Sequence, residues 1–197
     1  LVINNNQSDP RAKEVMYAYI DAFDKAHPEV TVVVNDFDHE EYKVAIRNFL
    51  QADAPDIAVW FAGNRMKFFV DQGLLEDVSD VWESAGLNDS MAASKGSLTV
   101  DGKQYGVPYA YYQWGVYYRK DIFDKLGLNE PRDFEEFKWV CAMLKKNGYT
   151  PITIGTKYLW TAAAWFDYMN MRINGYQFHM DLMAGNASYE DPRLDDV

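Results

Sequence analysis

The sequence predicts an α/β fold built on a largely parallel sheet. Over residues 1–73, short apolar runs (1–3, 30–34 and 56–60) alternate with longer segments whose apolar residues recur every three or four positions, the order of a strand–helix–strand chain. The short runs are nearly continuously apolar, as strands covered on both faces are. Composition agrees: of 197 residues, 48% are hydrophobic and 25% charged, which argues against a disordered or fibrous chain.

The elements follow in order. Residues 1–3 lead into a polar loop, 4–8, and Asp9 then stands as N-cap before Pro10 at the first helical position. Val15, Tyr19, Phe23 and Ala26 form one apolar face of the helix, which Pro28 stops. The β-branched run 30–34 is a buried strand. A second helix covers 39–51, with Tyr42, Ile46, Phe49 and Leu50 on one face. Residues 56–60 make the next buried strand, and 64–72 a helix closed by Gly73. Asp101-Gly102, between 98–100 and 104–107, is a hairpin turn signal. Residues 107–118, rich in Tyr, Trp, Val and Ala, are long enough for an extended strand or two. Helices at 121–126 and 134–147 end before Gly127 and Gly148; the second turns Phe134, Phe137, Cys141 and Leu144 inward. Residues 151–155 read as a strand and 159–173 as an aromatic-rich helix ending at Asn174-Gly175. The acidic tail 189–197 has no strong periodicity. Trp82 and Trp139 are assigned to packing. A boundary near residue 110 has to be crossed by a strand, as in a hinged two-lobe protein.

Charge and motif content remove several function classes. Nineteen basic and thirty acidic residues give a net charge of −11. Such a surface repels phosphate backbones and anionic lipid, which excludes nucleic-acid or membrane-surface binding by bulk charge. No segment approaches the ~18–20 apolar residues of a spanning helix. Cys141 stands alone, so neither an intramolecular disulfide nor a CxxC zinc site can form. The nearest glycines are Gly102 and Gly106, which leaves no GxGxxG or phosphate-binding loop. There is no G-x-S-x-G elbow, and His27, His39 and His179 lie far apart without an HExxH. No cofactor and no metal is expected. What needs explaining is the aromatic content: six Trp, fourteen Tyr and eleven Phe.

A series of short motifs then occurs in a fixed order. They are Ala26-His27-Pro28-Glu29-Val30, Ala54-Pro55-Asp56-Ile57 and Gln72-Gly73-Leu74-Leu75-Glu76-Asp77. Val100-Asp101-Gly102-Lys103-Gln104-Tyr105-Gly106-Val107-Pro108 and Tyr117-Tyr118-Arg119-Lys120-Asp121-Ile122-Phe123 come next. Asp133-Phe134-Glu135-Glu136-Phe137, Asn147-Gly148-Tyr149-Thr150-Pro151-Ile152, Asn174-Gly175 and Asp181-Leu182 complete the series. This order resembles family 1 of the bacterial extracellular solute-binding proteins, the maltose-binding type of sugar-binding component of ABC importers. Arg119 replaces the asparagine usual before Lys120.

The resemblance implies a periplasmic-binding-protein-like two-lobe fold of type II, each lobe a mostly parallel sheet flanked by helices, with hinge strands between. Residues 1–110 are then the first lobe and 111–197 the start of the second. It implies a monomer without enzymatic activity that reversibly binds an oligosaccharide or glycoside in the inter-lobe cleft. The sugar is delivered to the permease subunits of an ABC transporter, from a periplasm or from a cell-surface lipoprotein. Members of the family carry a second half, and a secretion signal precedes the first strand. The chain is therefore expected to be the N-terminal half of a longer protein.

A sugar presents hydroxyls at its rim and C–H patches on its faces, so a site for it needs aromatic platforms and planar polar side chains where strands end. Asn5 and Asn6 follow the first strand; they fit a ligand contact or a turn held by Asx hydrogen bonds. Asp38 follows the second strand, as ligand acceptor or as a helix N-terminal carboxylate. Trp60, Asn64 and Arg65 end the third strand and open a helix. Maltose-binding-type members carry a sugar-contacting Trp and Asp-Arg there, and Asn64 now replaces the acid. Core packing for Trp60 and an ion pair for Arg65 are the alternatives. In the aromatic stretch, strand alternation sets Tyr112 and Trp114 on one side and Gln113 on the other; the first two are favoured, with Gln113 as a hydrogen-bonding option. Trp160 stands where family members place a stacking aromatic. Two rivals remain: a glycoside hydrolase, needing two carboxyls ~5–10 Å apart with one pKa raised, and a binding protein of the same fold for polyamine or iron.

Overall fold

The computed structural model describes residues 1–111 and 113–197. It divides into two compact units, Leu1–Trp114 and Gly115–Val197.

The first unit is built on a three-stranded parallel sheet. β1 (Val2–Asn5) lies between β2 (Val33–Asp36) and β3 (Ile57–Ala58), with Ile3 opposite both Val34 and Ile57. The crossovers carry the helices α1 (Pro10–Ala26) and α2 (His39–Ala52). Only the central strand is buried through Ile3, Asn4 and Asn5; at the edges Val33 is 47% and Ile57 46% exposed. The runs 30–34 and 56–60 are thus not the buried strands that their apolar content indicates. Each supplies a short strand with one ladder instead of two, and β2 starts three residues later than expected.

α1 has the expected Pro10 at its start and ends before Pro28, but its inner face is not the one that its apolar spacing indicates. Val15, Tyr19 and Phe23 are exposed, and Met16 is the buried residue. Lys13 Nζ and the Tyr17 hydroxyl, one turn apart, both reach Asp36 Oδ2, at 2.6 and 2.8 Å. These two polar contacts turn the 13–16–17 side of the helix toward β2. α2 behaves as its pattern requires: Tyr42, Ile46 and Leu50 are buried and pack with Phe69 of α3 (Asn64–Val70).

Three short helices that the sequence pattern did not disclose, α4 (Ser79–Ser84), α5 (Leu87–Ser90) and α6 (Ala92–Lys95), follow. Trp82 is fully buried among Met66, Leu98 and Val100, its indole N–H donating to the Gly106 carbonyl at 2.8 Å. The hairpin is present as β4 (Thr99–Val100) and β5 (Lys103–Gln104). Its turn residues Asp101 and Gly102 take φ of +49° and +80°, the left-handed pair of a two-residue turn that matches strand twist. No strand occurs among the described residues of 107–118. Aromatic and β-branched content favours extension, but a strand also needs a ladder partner for its backbone N–H and C=O groups.

The second unit is helical: α7 (Lys120–Leu126), α8 (Phe134–Lys146), α9 (Trp160–Asn174) and α10 (Tyr176–Met183). Its core joins Phe123, Leu128, Val140 and Leu144. Gly127 closes α7 with φ +63°. On α8 the buried residues are Val140 and Leu144; Phe137 and Cys141 are half-buried, while Phe134 and Trp139 are 52% and 55% exposed. The inner face is therefore shifted from the predicted one, and Trp139 is not a packing residue. Residues 151–155 are not a strand, for the same lack of a ladder.

Candidate functional site

The carboxyl ends of the three parallel strands bring Asn5 and Asn6, Asp36 to Asp38, and Trp60 onto one edge of the first unit, the edge at which α/β sheets place ligands. Asn5 is fully buried: its Nδ2 donates to Asp36 Oδ1 at 2.8 Å, and its Oδ1 accepts from the Gln7 backbone N–H. Asn6 is 1% exposed, and its Oδ1 accepts from Gln7 Nε2, which also donates to the Tyr109 hydroxyl. The fold thus engages both ends of the Asn5 amide and the oxygen of Asn6. Burial alone would raise the Asp36 carboxyl, but hydrogen bonds from Lys13, Asn5 and Tyr17 hold it below the usual carboxylate range. Asp38 is the N-cap of α2, its Oδ1 accepting from the backbone N–H groups of Glu40 and Glu41.

Beside this edge, α2 and α3 border an open cavity of about 370 Å³ lined by Lys43, Arg47, Trp60, Asn64, Arg65, Phe68 and Phe69. Trp60, Asn64 and Arg65, singled out by sequence, meet here. Trp60 is half-buried against Tyr42, Phe61 and Phe69, at ring centroid distances of 6.0, 5.1 and 5.7 Å. Its indole N–H donates to the Arg65 carbonyl at 3.2 Å. Gly63 enters α3 with φ +73°, a conformation that costs a side-chain-bearing residue strain; it releases Asn64 onto the surface at the first helical position. The Arg65 guanidinium lies 4.7 Å over the Phe61 ring. Such a site offers ring surface to C–H patches and amide and guanidinium donors to hydroxyls.

Sequence reasoning missed Lys43, Arg47 and Phe68. The i, i+4 spacing of Lys43 and Arg47 puts both on one side of α2 and was the available signal. Lys43 pairs with Glu40 at 2.6 Å, and Arg47 lies 5.3 Å over the Phe68 ring.

The remaining candidates do not line this cavity. Tyr112 lies outside the described residues. Gln113 and Trp114 are exposed and belong to no helix or strand, so the alternation argued for them has no strand beneath it. Trp160 is in the second unit, 43% exposed at the start of α9, after Leu159 with its left-handed φ of +63°.

For a hydrolase, the acid would need a raised pKa. The displaced carboxylates run the other way: Asp36, Asp77, Asp121, Glu136 and Asp191 are all lowered by their partners. Among the described residues no group of three His, Cys, Asp or Glu side chains is placed to hold a metal ion.

The sequence matches the family described as bacterial extracellular solute-binding protein over residues 8–195. The chain belongs to that family. An uncharacterised ABC transporter extracellular-binding protein of Pyrococcus horikoshii is 24% identical over 94% of this chain and 44% of its own length. The multiple sugar-binding protein of Streptococcus mutans is 24% identical over 92% and 43%. Among solved structures, the bacterial solute receptor AcbH, described as exclusively preferring β-D-galactopyranose, is 34% identical with a TM-score of 0.90; the match covers 99% of this chain and 50% of that one. A structure from work on xylan utilisation by Caldanaerobius polysaccharolyticus is 27% identical with a TM-score of 0.80, over 100% and 50%. This solute-binding protein shares the α/β fold of these receptors, and it spans about half the length of the relatives it matches.

Proposed function

We propose that this protein is the extracytoplasmic substrate-binding component of an ABC importer, binding a carbohydrate reversibly and delivering it to membrane permease subunits. It acts without chemistry on the sugar, as a monomer in a periplasm or as a cell-surface lipoprotein. Residues 1–110 serve as the first lobe and 111–197 as the start of the second. The observation that carries the proposal is the cavity in which Trp60, Asn64 and Arg65 put an aromatic platform beside an amide and a guanidinium. The named relatives, a multiple sugar-binding protein and a receptor for galactopyranose, support the same ligand class. Trp60, Asn64 and Arg65 are the proposed sugar contacts of the first unit. Trp160 is the proposed stacking aromatic of the second.

A thermal-shift screen of the full-length protein against a broad set of neutral and charged oligosaccharides tests this, because a ligand that binds only the folded state raises the melting temperature by mass action. At least one sugar is expected to do so, and nitrophenyl glycosides are expected to release no chromophore. A screen with no shift overturns the ligand class; chromophore release above a buffer blank replaces binding by hydrolysis.

A further inference from the structure

The cavity between α2 and α3 carries a charge that its surroundings do not explain. In a chain of net charge −11, three of the side chains lining it are cationic and none is acidic. Lys43 is neutralised by Glu40. The two arginines are not. Elsewhere Arg11, Arg119, Arg132 and Arg193 each reach a carboxylate, whereas Arg47, Arg65 and Arg172 reach none among the described residues; of these three, Arg47 and Arg65 line the cavity and lie over Phe68 and Phe61. A guanidinium attracted to a ring face spends none of its N–H donors on that contact, so they stay available to an anion. Two such groups, from different helices and lining one cavity, suit a bidentate carboxylate or sulfate better than they suit hydroxyls alone. Glu40 is spent on Lys43, and acidic residues more than about 10 Å away oppose an anion only weakly, because such charges are largely screened at 0.1 M salt.

We propose that this site selects a saccharide bearing an acidic group, with Arg47 and Arg65 receiving the anion while Trp60 carries the sugar ring. The proposal rests on the carbohydrate reading above and narrows it. Arg47 is the residue that separates the two, since it belongs to the anion contact and not to the three proposed sugar contacts.

Full-length protein is titrated calorimetrically with uronate oligosaccharides, with sulfated oligosaccharides, and with the neutral parent of each. The acidic member of a pair is expected to bind about tenfold more tightly, with a preference that shrinks as salt is raised. Preference within the uronate pair assigns a carboxylate, and within the sulfated pair a sulfate. Arg47→Gln is expected to abolish most of the acidic-over-neutral ratio. Lys25→Gln, which removes the same charge from the last turn of α1, is expected to leave the ratio intact. Equal affinity for acidic and neutral members overturns the proposal and leaves the carbohydrate reading standing. Failure of every glycan to bind overturns both. Equal effects of Arg47→Gln and Lys25→Gln, or binding of free sulfate or acetate as tight as that of the acidic sugar, also overturn it.

Discussion

Trp60 shows how one residue divides its chemistry between fold and ligand. Its N–H is taken by the Arg65 carbonyl and part of its ring by Tyr42, Phe61 and Phe69; only the ring surface that faces the cavity is left for a sugar. Arg65 is the reverse case, fixed through its backbone with its guanidinium outside. Arg65→Ala should therefore weaken oligosaccharide binding by about 1–3 kcal/mol, roughly 5- to 150-fold, with the melting temperature unchanged; unaltered affinity by calorimetry would remove Arg65 from the site. The two tryptophans assigned to packing from sequence now part company. Trp82 is fully enclosed and hydrogen-bonded, so Trp82→Ala should cost on the order of 3–5 kcal/mol in denaturant unfolding. Trp139 is 55% exposed, and Trp139→Phe should stay within about 0.5 kcal/mol of the parent.

At the scale of elements, what was legible depended on whether an element could be decided locally. α2 was readable because its N-cap and a clean apolar face, Tyr42, Ile46 and Leu50, agree with its tertiary surroundings. The hairpin was readable because Asp101-Gly102 has few other uses. α1 was misread because two polar contacts to Asp36, rather than its apolar stripe, set its rotation; no local pattern reports a partner about twenty residues away. The expected strand at 151–155 failed because pairing is a long-range property. The site divides in the same way: Trp60, Asn64 and Arg65 are contiguous in sequence, whereas Arg47 joins them only through packing of α2 against α3. One cross-element contact makes a pH prediction. Asp77 accepts from the hydroxyl and N–H of Ser79 and pairs with Lys103 of the hairpin at 3.0 Å, and these partners pull its carboxyl down from 3.8 to about 2. A lowered folded pKa stabilises above the unfolded value and loses that stabilisation as protons bind. The α4–hairpin connection should thus be intact above about pH 4 and weaken progressively toward pH 2. In Asp77→Asn that step should vanish, as followed by hydrogen exchange at the Gln104 amide; an unchanged acid profile would show that another carboxylate is responsible.

At the scale of the whole molecule, the question is whether each unit covers its own apolar surface. In the first, Val15, Tyr19 and Phe23 stand on one side of α1, exposed by 47, 54 and 38%. In the second, Phe134, Trp139, Ile152 and Leu159 are exposed by 52, 55, 45 and 72%. Scattered apolar side chains are normal on a protein surface, whereas aligned or clustered ones are not. The α1 residues recur at four-residue steps and so form a stripe. Each large side chain left in water forgoes about 1.5–3 kcal/mol relative to full burial, which is significant against a folding free energy of about 5–15 kcal/mol. Prepared as the 197-residue polypeptide alone, the protein should accordingly bind a hydrophobic dye at neutral pH and melt broadly, with weak near-ultraviolet dichroism. The second unit should be the weaker of the two: among the described residues it has one buried cluster, Phe123, Leu128, Val140 and Leu144, with Phe178 and Leu182 buried outside it, whereas the first has two clusters that share Trp60 and Leu75. Hydrogen exchange resolved by peptide would show this as earlier exposure of α8 and α9 than of α2 and β1. A single sharp melt without dye binding, and uniform protection across both units, would mean that these exposed side chains are ordinary surface and that each unit is complete as it stands.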